Sequence, residues 1–266
     1  MKISVLASGS KGNATLVVAD SVVILIDAGI SPKAISKKIA NFGLNLDDIS
    51  AILVTHSHSD HFCGLSSLIK KKSIPLFATE ETASSIDYCC AKNEEDPCFS
   101  FSWNYVSPGN RFTFNSLSIT PFEVPHDANG AVGYTIEDEN SKIGIATDLG
   151  CVTNSVKYRL TGCDALVLEM NHDCDMLWNS DRTQILKSRI SGKLGHLSND
   201  QAIEFLEELD TSRLKYFFPA HISEDCNDFS IVKAAILSLS KKTGFEIVET
   251  NQRRATPLVD LAVNNL

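Results

Sequence analysis

The run Ala51-Ile52-Leu53-Val54-Thr55-His56-Ser57-His58-Ser59-Asp60-His61 decides how the chain is read. Its first four residues are apolar and read as a buried strand. The remainder is dense in metal-ligating side chains: four within six residues, including three of the seven histidines of the chain. His56 and His58 are two apart in an extended segment, so their side chains leave on the same side and can grip one ion. Asp60 and His61 fall where the chain turns into a helix and can reach a second ion. A purely structural use for this string is hard to find.

The pattern outward from this run alternates strands and helices. Before it come strands at 2–7, 15–19 and 22–27 and a helix over 32–42. After it come a helix over 62–71, a strand at 75–78, a helix over 79–92 and a polar loop to Pro97. Short strands with hairpin turns follow over 99–124, then strands at 131–136 and 142–147. A helix near 152–160, a strand at 164–169 and a helix over 180–190 come next. Ser198 and Gln201 form an S-x-x-Q capping box that opens another helix. A strand at 214–218, a helix over 229–240 and a strand at 245–249 complete the pattern. This alternation predicts an α/β layered fold. With no repeat or obvious linker, residues 1–266 are expected to form a single domain. The loop Ser8-Gly9-Ser10-Lys11-Gly12-Asn13 reads as a tight turn; its lysine precedes the glycine, so it is not a P-loop.

The formal net charge of −9 argues against a general nucleic-acid coat, which would need Lys and Arg for phosphate contacts. It leaves room for a local basic groove. One exists in the sequence: Arg182, Lys187, Arg189 and Lys193 occupy a window without a single acid. None of the eight cysteines form a C-x-x-C pair, which excludes a zinc knuckle. The chain opens directly on a strand-like run, with no signal-peptide pattern and no long apolar span. A cytoplasmic, reducing setting without membrane attachment is the expectation.

All seven histidines stand at the ends of strand-like runs or at a helix start, where α/β folds place chemistry. His126, Asp148 and His221 each end a later strand, and an aspartate between two ions can bridge them. Asp27, also at a strand end, can orient a ligand from behind. Two ions ~3.5–4 Å apart can lower the pKa of a bridging water to about 7 and hold the oxygens of a displacement. Histidine-rich ligation favours Zn²⁺, and mixed His/Asp ligation also admits Mn²⁺.

The H-x-H-x-D-H string, preceded by Asp27 and followed in order by His126, Asp148 and His221, resembles the metallo-β-lactamase superfamily over nearly the whole chain. That resemblance implies a four-layered αββα sandwich with the metal site at one edge of the sheets. It implies two divalent ions, one on His56, His58 and His126, the other on Asp60, His61 and His221, with Asp148 between them. Several branches do not fit. The tail after His221 is too short for glyoxalase II, and His58 stands where the diiron flavoproteins usually carry glutamate. The 72 residues between Asp148 and His221 cannot hold the domain inserted in the β-CASP nucleases.

The segments Ser8–Asn13, Asn171-His172-Asp173 and Gly195-His196-Leu197-Ser198-Asn199 resemble the YycJ/WalJ (VicX)-type exonucleases. These are 5′-to-3′ DNA exonucleases linked to repair. The His196 segment also resembles the histidine-led helix start of ribonuclease Z. By these resemblances Asp60 and His196 are the catalytic residues, with His196 assisting the leaving oxygen. Arg189, Ser198 and Asn199 are expected to bind substrate, and His172 to support the site from behind, as Asp27 does. The expected activity is metal-dependent phosphodiester hydrolysis on a nucleic acid, with DNA favoured over RNA. A ribonuclease Z-like enzyme, or a hydrolase of small cyclic phosphodiesters or thioesters, is the alternative. A non-catalytic partner protein on this fold would be free to lose ligands, and this chain has the full set.

Overall fold

The computed structural model describes residues 1–70, 73–92 and 100–262. Its strands are β1 (Lys2–Ala7), β2 (Ala14–Ala19), β3 (Val22–Ile26), β4 (Ile49–Leu53), β5 (Leu76–Ala78), β6 (Trp103–Tyr105), β7 (Phe112–Phe114), β8 (Leu117–Glu123), β9 (Val132–Glu137), β10 (Lys142–Ala146), β11 (Ala165–Glu169), β12 (Tyr216–Ala220), β13 (Glu246–Ile247) and β14 (Val259–Asp260). They form two sheets, ordered β14-β1-β2-β3-β4-β5-β6 and β13-β12-β11-β10-β9-β8-β7. The helices are α1 (Pro32–Ile39), α2 (Ser59–Phe62), α3 (Leu65–Ile69), α4 (Glu80–Ala91), α5 (Asn154–Leu160), α6 (Cys174–Asn179), α7 (Gln184–Ile190), α8 (Asn199–Glu208) and α9 (Phe229–Thr243).

Strand alternation produces the layers. Ile24 and Ile26 of β3 face the second sheet and pack with Tyr134, Ile145, Val167 and Phe218 in a core between the sheets. Val23 and Leu25, one residue out of phase, face the other way against Ile35 and Ile39 of α1, Leu65 of α3 and Ile86 of α4. The second sheet does the same with Leu166, Leu168 and Phe217. These meet Val156 of α5, Phe205 and Leu206 of α8 and Ile236 of α9. Helix, sheet, sheet and helix therefore stack as the expected αββα sandwich.

The pairings β3–β4, β4–β5, β10–β11 and β11–β12 are parallel. Their C-terminal ends consequently share one edge of the sandwich, the usual place for a site in such sheets. The two sheets are tied together there. Val132 N donates to Thr55 O at 3.0 Å, and the buried Tyr134 hydroxyl donates to Val54 O at 2.9 Å.

Some elements differ from their sequence reading. The helix expected over 62–71 is two short turns, α2 and α3, bent at Gly64; residue 71 and the loop through Pro97 lie outside the described residues. The helix expected over 180–190 begins only at Gln184. Ser180 is extended (φ −71°, ψ 162°) and ends α6, and the Thr183 side chain caps the amide of Leu186 to start α7. The sequence reading missed α6 and the two-residue strand β14, which pairs with β1.

Candidate metal centre

Each ligand-type side chain is delivered by the end of a strand. His56 and His58 follow β4, with Asp60 and His61 in α2. His126 follows β8, Asp148 follows β10 and His221 follows β12. Asp27, Asp148 and His221 take the left-handed backbone conformation, with φ of 61°, 56° and 53°. Such strain in non-glycine residues persists only where the surroundings enforce it, and it clusters at functional sites. Gly29 is required by crowding: a Cβ there would lie 1.5 Å from the carbonyl oxygen of Asp60.

Two groups of ligand atoms result. In the first, His58 Nδ1 lies 3.2 Å from His56 Nε2 and 3.1 Å from His126 Nε2. In the second, Asp60, His61 and His221 converge: Asp60 Oδ2 is 3.5 Å from His61 Nε2 and 3.6 Å from His221 Nε2. Asp148 stands between the groups, its Oδ2 3.1 Å from His61 Nε2 and its Oδ1 3.9 Å from His126 Nε2. Asp148 also groups with His56 and His61, and in another set with Glu169, His196 and His221.

The far nitrogens fix the tautomers. Thr55 Oγ1 donates to Asp27 Oδ2 at 2.9 Å, so it accepts from His56 Nδ1–H at 3.0 Å. His61 Nδ1–H donates to Asp27 Oδ2 at 2.7 Å, and His126 Nδ1–H to Gly195 O at 3.1 Å. His221 Nδ1–H reaches Glu169 Oε1 at 3.1 Å. In each case Nε2 is left facing inward.

These residues fit divalent metal ions. Asp148 Oδ2 and His221 Nε2 are buried with no hydrogen-bond partner, since the short approach of His61 to Asp148 is not aligned as a hydrogen bond. Buried polar atoms left unpartnered in this way are costly, and a bound cation would meet both. Three imidazole nitrogens facing one another have the same need. The donor types, nitrogen in one set and nitrogen with carboxylate oxygen in the other, suit Zn²⁺ or Mn²⁺.

The two sets differ in charge. Burial, followed by repulsion from neighbouring imidazoles, lowers the pKa of His56 well below its ordinary value and lowers that of His58. Burial also acts to lower His221, but the carboxylates of Asp148, Asp60 and Glu169 overcome it and raise the ring to about 10. His61 is raised for the same reason by Asp148 and Asp27. Burial alone would raise Asp60 and Asp148; the surrounding imidazoles instead hold both well below the carboxylate range.

Of the remaining residues expected from sequence, Asp27 lies behind His61, its Oδ2 2.7 Å from the ring's Nδ1. His196 lines the same cavity as His58, Asp60, Asp148 and His221, and its ring stacks on that of His221 at 5.1 Å. Arg189 lines the cavity mouth. Ser198 and Asn199 do not reach it. Ser198 is buried and caps α8, accepting from Gln201 N at 3.2 Å. Asn199 is buried in a reciprocal side-chain pair with Asn227 at 3.0 and 2.9 Å. Both are spent on anchoring the helix that follows His196, which corrects the expectation that they bind substrate. His172 is buried behind them with Nδ1 unpartnered and lies away from the cavity lining.

Three residues of the site were missed. Glu169, fully buried at the end of β11, accepts from His196 Nδ1 at 2.7 Å, His221 Nδ1 at 3.1 Å and the amides of Leu149 and Leu197. Burial pushes its carboxyl up, but the His196 imidazole draws it down to about 2, while Glu169 raises His196. Asp127 bridges Arg189 (2.6 Å) to the histidine group, 3.5 Å from His58 Nε2. Asn13, from the loop read as a plain turn, contacts Asp60 Oδ2 at 3.1 Å and His61 Nε2 at 2.9 Å.

Residues 23–222 match the family model for the beta-lactamase superfamily domain. The chain is 34% identical to the exodeoxyribonuclease YycJ of Bacillus anthracis, over 94% of this chain and 92% of that protein. It is 30% identical to the exodeoxyribonuclease WalJ of Streptococcus pneumoniae, over 98% of each. In fold it is similar to the short form of human tRNase Z, with TM-score 0.66, 15% identity, and 99% of this chain and 100% of that chain covered. The chain belongs to the beta-lactamase superfamily and, within it, to the YycJ type. It is a metal-dependent hydrolase. Among the described residues no helix is long and apolar enough to cross a membrane.

Proposed function

We propose that the chain is a two-metal phosphodiesterase that removes nucleotides from DNA ends, most simply a 5′-to-3′ exodeoxyribonuclease. The observation that carries the chemistry is the pair of ligand sets meeting at Asp148, with the braced His196 facing the same cavity. The choice of DNA is supported by the near full-length relatives named as exodeoxyribonucleases.

In this reading His56, His58 and His126 would hold one ion and Asp60, His61 and His221 the other, with Asp148 standing between the two sets. Such ions, when bound, polarise a phosphodiester and supply a nucleophile from water at neutral pH. The protein supplies the rest. Asp60, kept ionised and partly open to the cavity, orients the attacking water. His196 donates Nδ1–H to Glu169, and its raised pKa keeps a proton on Nε2 for the departing 3′ oxygen. Glu169 stabilises the ring orientation throughout and also holds His221. Arg189 meets a strand phosphate in exchange for Asp127.

The test is incubation of end-labelled single- and double-stranded DNA and RNA with the protein and Mn²⁺ or Zn²⁺. Release of mononucleotides from the 5′ end of DNA is the expected result. Cleavage of RNA alone would move the assignment to a ribonuclease, and turnover of bis-p-nitrophenyl phosphate without cleavage of either polymer would move it to a small phosphodiester.

A further inference from the structure

Two arginines from one segment line the cavity, and they are held differently. Arg189, in the last turn of α7, has 62% of its side chain exposed and is bound to Asp127. Arg182, before α7, is only 30% exposed. Its Nη2 donates to Asp225 Oδ2 at 2.8 Å, on the loop that follows His221. Its Nε is buried and has no hydrogen-bond partner.

A guanidinium offers five donors in a planar fork, so one bond to a carboxylate leaves most of Arg182 unused. Asp225 is itself 75% exposed. An ion pair with so exposed a partner is weak and readily exchanged. A phosphate that takes two donors at once is a stronger partner. A terminal phosphate carries more charge and one more free oxygen than a diester. It therefore gains most from a half-enclosed arginine with a donor to spare, whereas a continuing strand passes over an exposed one such as Arg189.

We infer that Arg182 forms a subsite for the terminal phosphate of a nucleic-acid strand beside the reacting centre, with Asp225 as the group that the phosphate displaces. This rests on the nuclease reading and adds what selects the strand end. Arg182 is then a specificity residue, separate from the residues that hold metal or move protons.

The experiment compares kcat/KM for one oligodeoxynucleotide carrying either a 5′-phosphate or a 5′-hydroxyl, in the wild type, R182Q and D225N. The wild type should favour the phosphorylated end by about tenfold or more, the worth of a charge-assisted contact. R182Q should bring that ratio close to one, chiefly through KM. D225N, which frees the guanidinium, should lower KM for the phosphorylated end. Because the ratio is taken within one preparation, partial misfolding of a variant cancels. An indifferent wild type, or an R182Q that keeps the ratio, overturns the subsite while the nuclease reading stands. A wild type that hydrolyses bis-p-nitrophenyl phosphate but no DNA removes the nuclease reading and the subsite with it.

Discussion

The two ligand sets lie side by side on one edge of the sandwich, yet they are built differently. In the first, burial and repulsion from neighbouring imidazoles drive His56 and His58 toward neutrality. Asp60, His61 and His221 sit in a bed of buried carboxylates, Asp27, Asp148 and Glu169, which load the histidines with protons. The first set is ready for a cation. The second is filled with internal ion pairs that a cation must replace. Its order is kept by partners behind the ligands rather than by the ligands themselves.

Several changes would break or sharpen this contrast. The largest effect belongs to Asp148, which stands between the two sets. Asp148→Asn should reduce turnover by roughly 10²–10³-fold or more, as expected for loss of a preorganised charge at the reacting centre. It should also reduce metal content in both sets, read by elemental analysis; a variant that keeps full metal and activity would refute the shared role.

Glu169→Gln comes next. Loss of such a partner behind a ligand typically costs 10–100-fold in metal affinity or activity. Because Glu169 raises His196, the variant should also lose the protonated ring at lower pH. The alkaline limb of its kcat profile should therefore move to lower pH, which a purely structural defect would not produce.

A third prediction concerns metal uptake. His221 is raised to about 10, so at neutral pH it is protonated and must lose that proton to the buffer before it can ligate an ion. Affinity at the second set should thus rise as pH is raised from near 6.5 toward 10. The first set, where His56 and His58 are already driven toward neutrality, should respond more weakly. Calorimetry in buffers of different ionisation enthalpy would count the protons released in each phase. Equal proton release in the two phases would remove the contrast.

The smallest effect is expected at Ser198. Ser198→Ala should cost about 1 kcal/mol of stability through the lost cap and leave KM for DNA near the wild-type value. A large rise in KM would restore the substrate-binding role that its buried position removes.

Much of the fold and the site was legible in the sequence, for identifiable reasons. The His56–His61 string is local, and strand alternation reports the layers directly through pairs such as Val23 and Ile24. Asp148 and His221 are single residues, flagged by their strand-end positions and by their order after the His56–His61 string. Glu169 carried a similar signal, a lone acid closing the apolar run Ala165–Leu168, but a strand end is also where exposed acids are common. Asp127 and Asn13 had no periodic signature, since their roles arise when distant loops meet. The break at Ser180 was hidden because the 180–190 window keeps helix-forming residues on both sides of a local cap at Thr183.

We infer that both sets must be filled for catalysis. The most direct measurement is stoichiometric titration of metal-free protein with Mn²⁺, following bound metal and nucleotide release from 5′-labelled DNA together. Two equivalents should bind per chain, with cleavage appearing only as the second is taken up. Full cleavage at one equivalent, or in the metal-free protein, would contradict this inference.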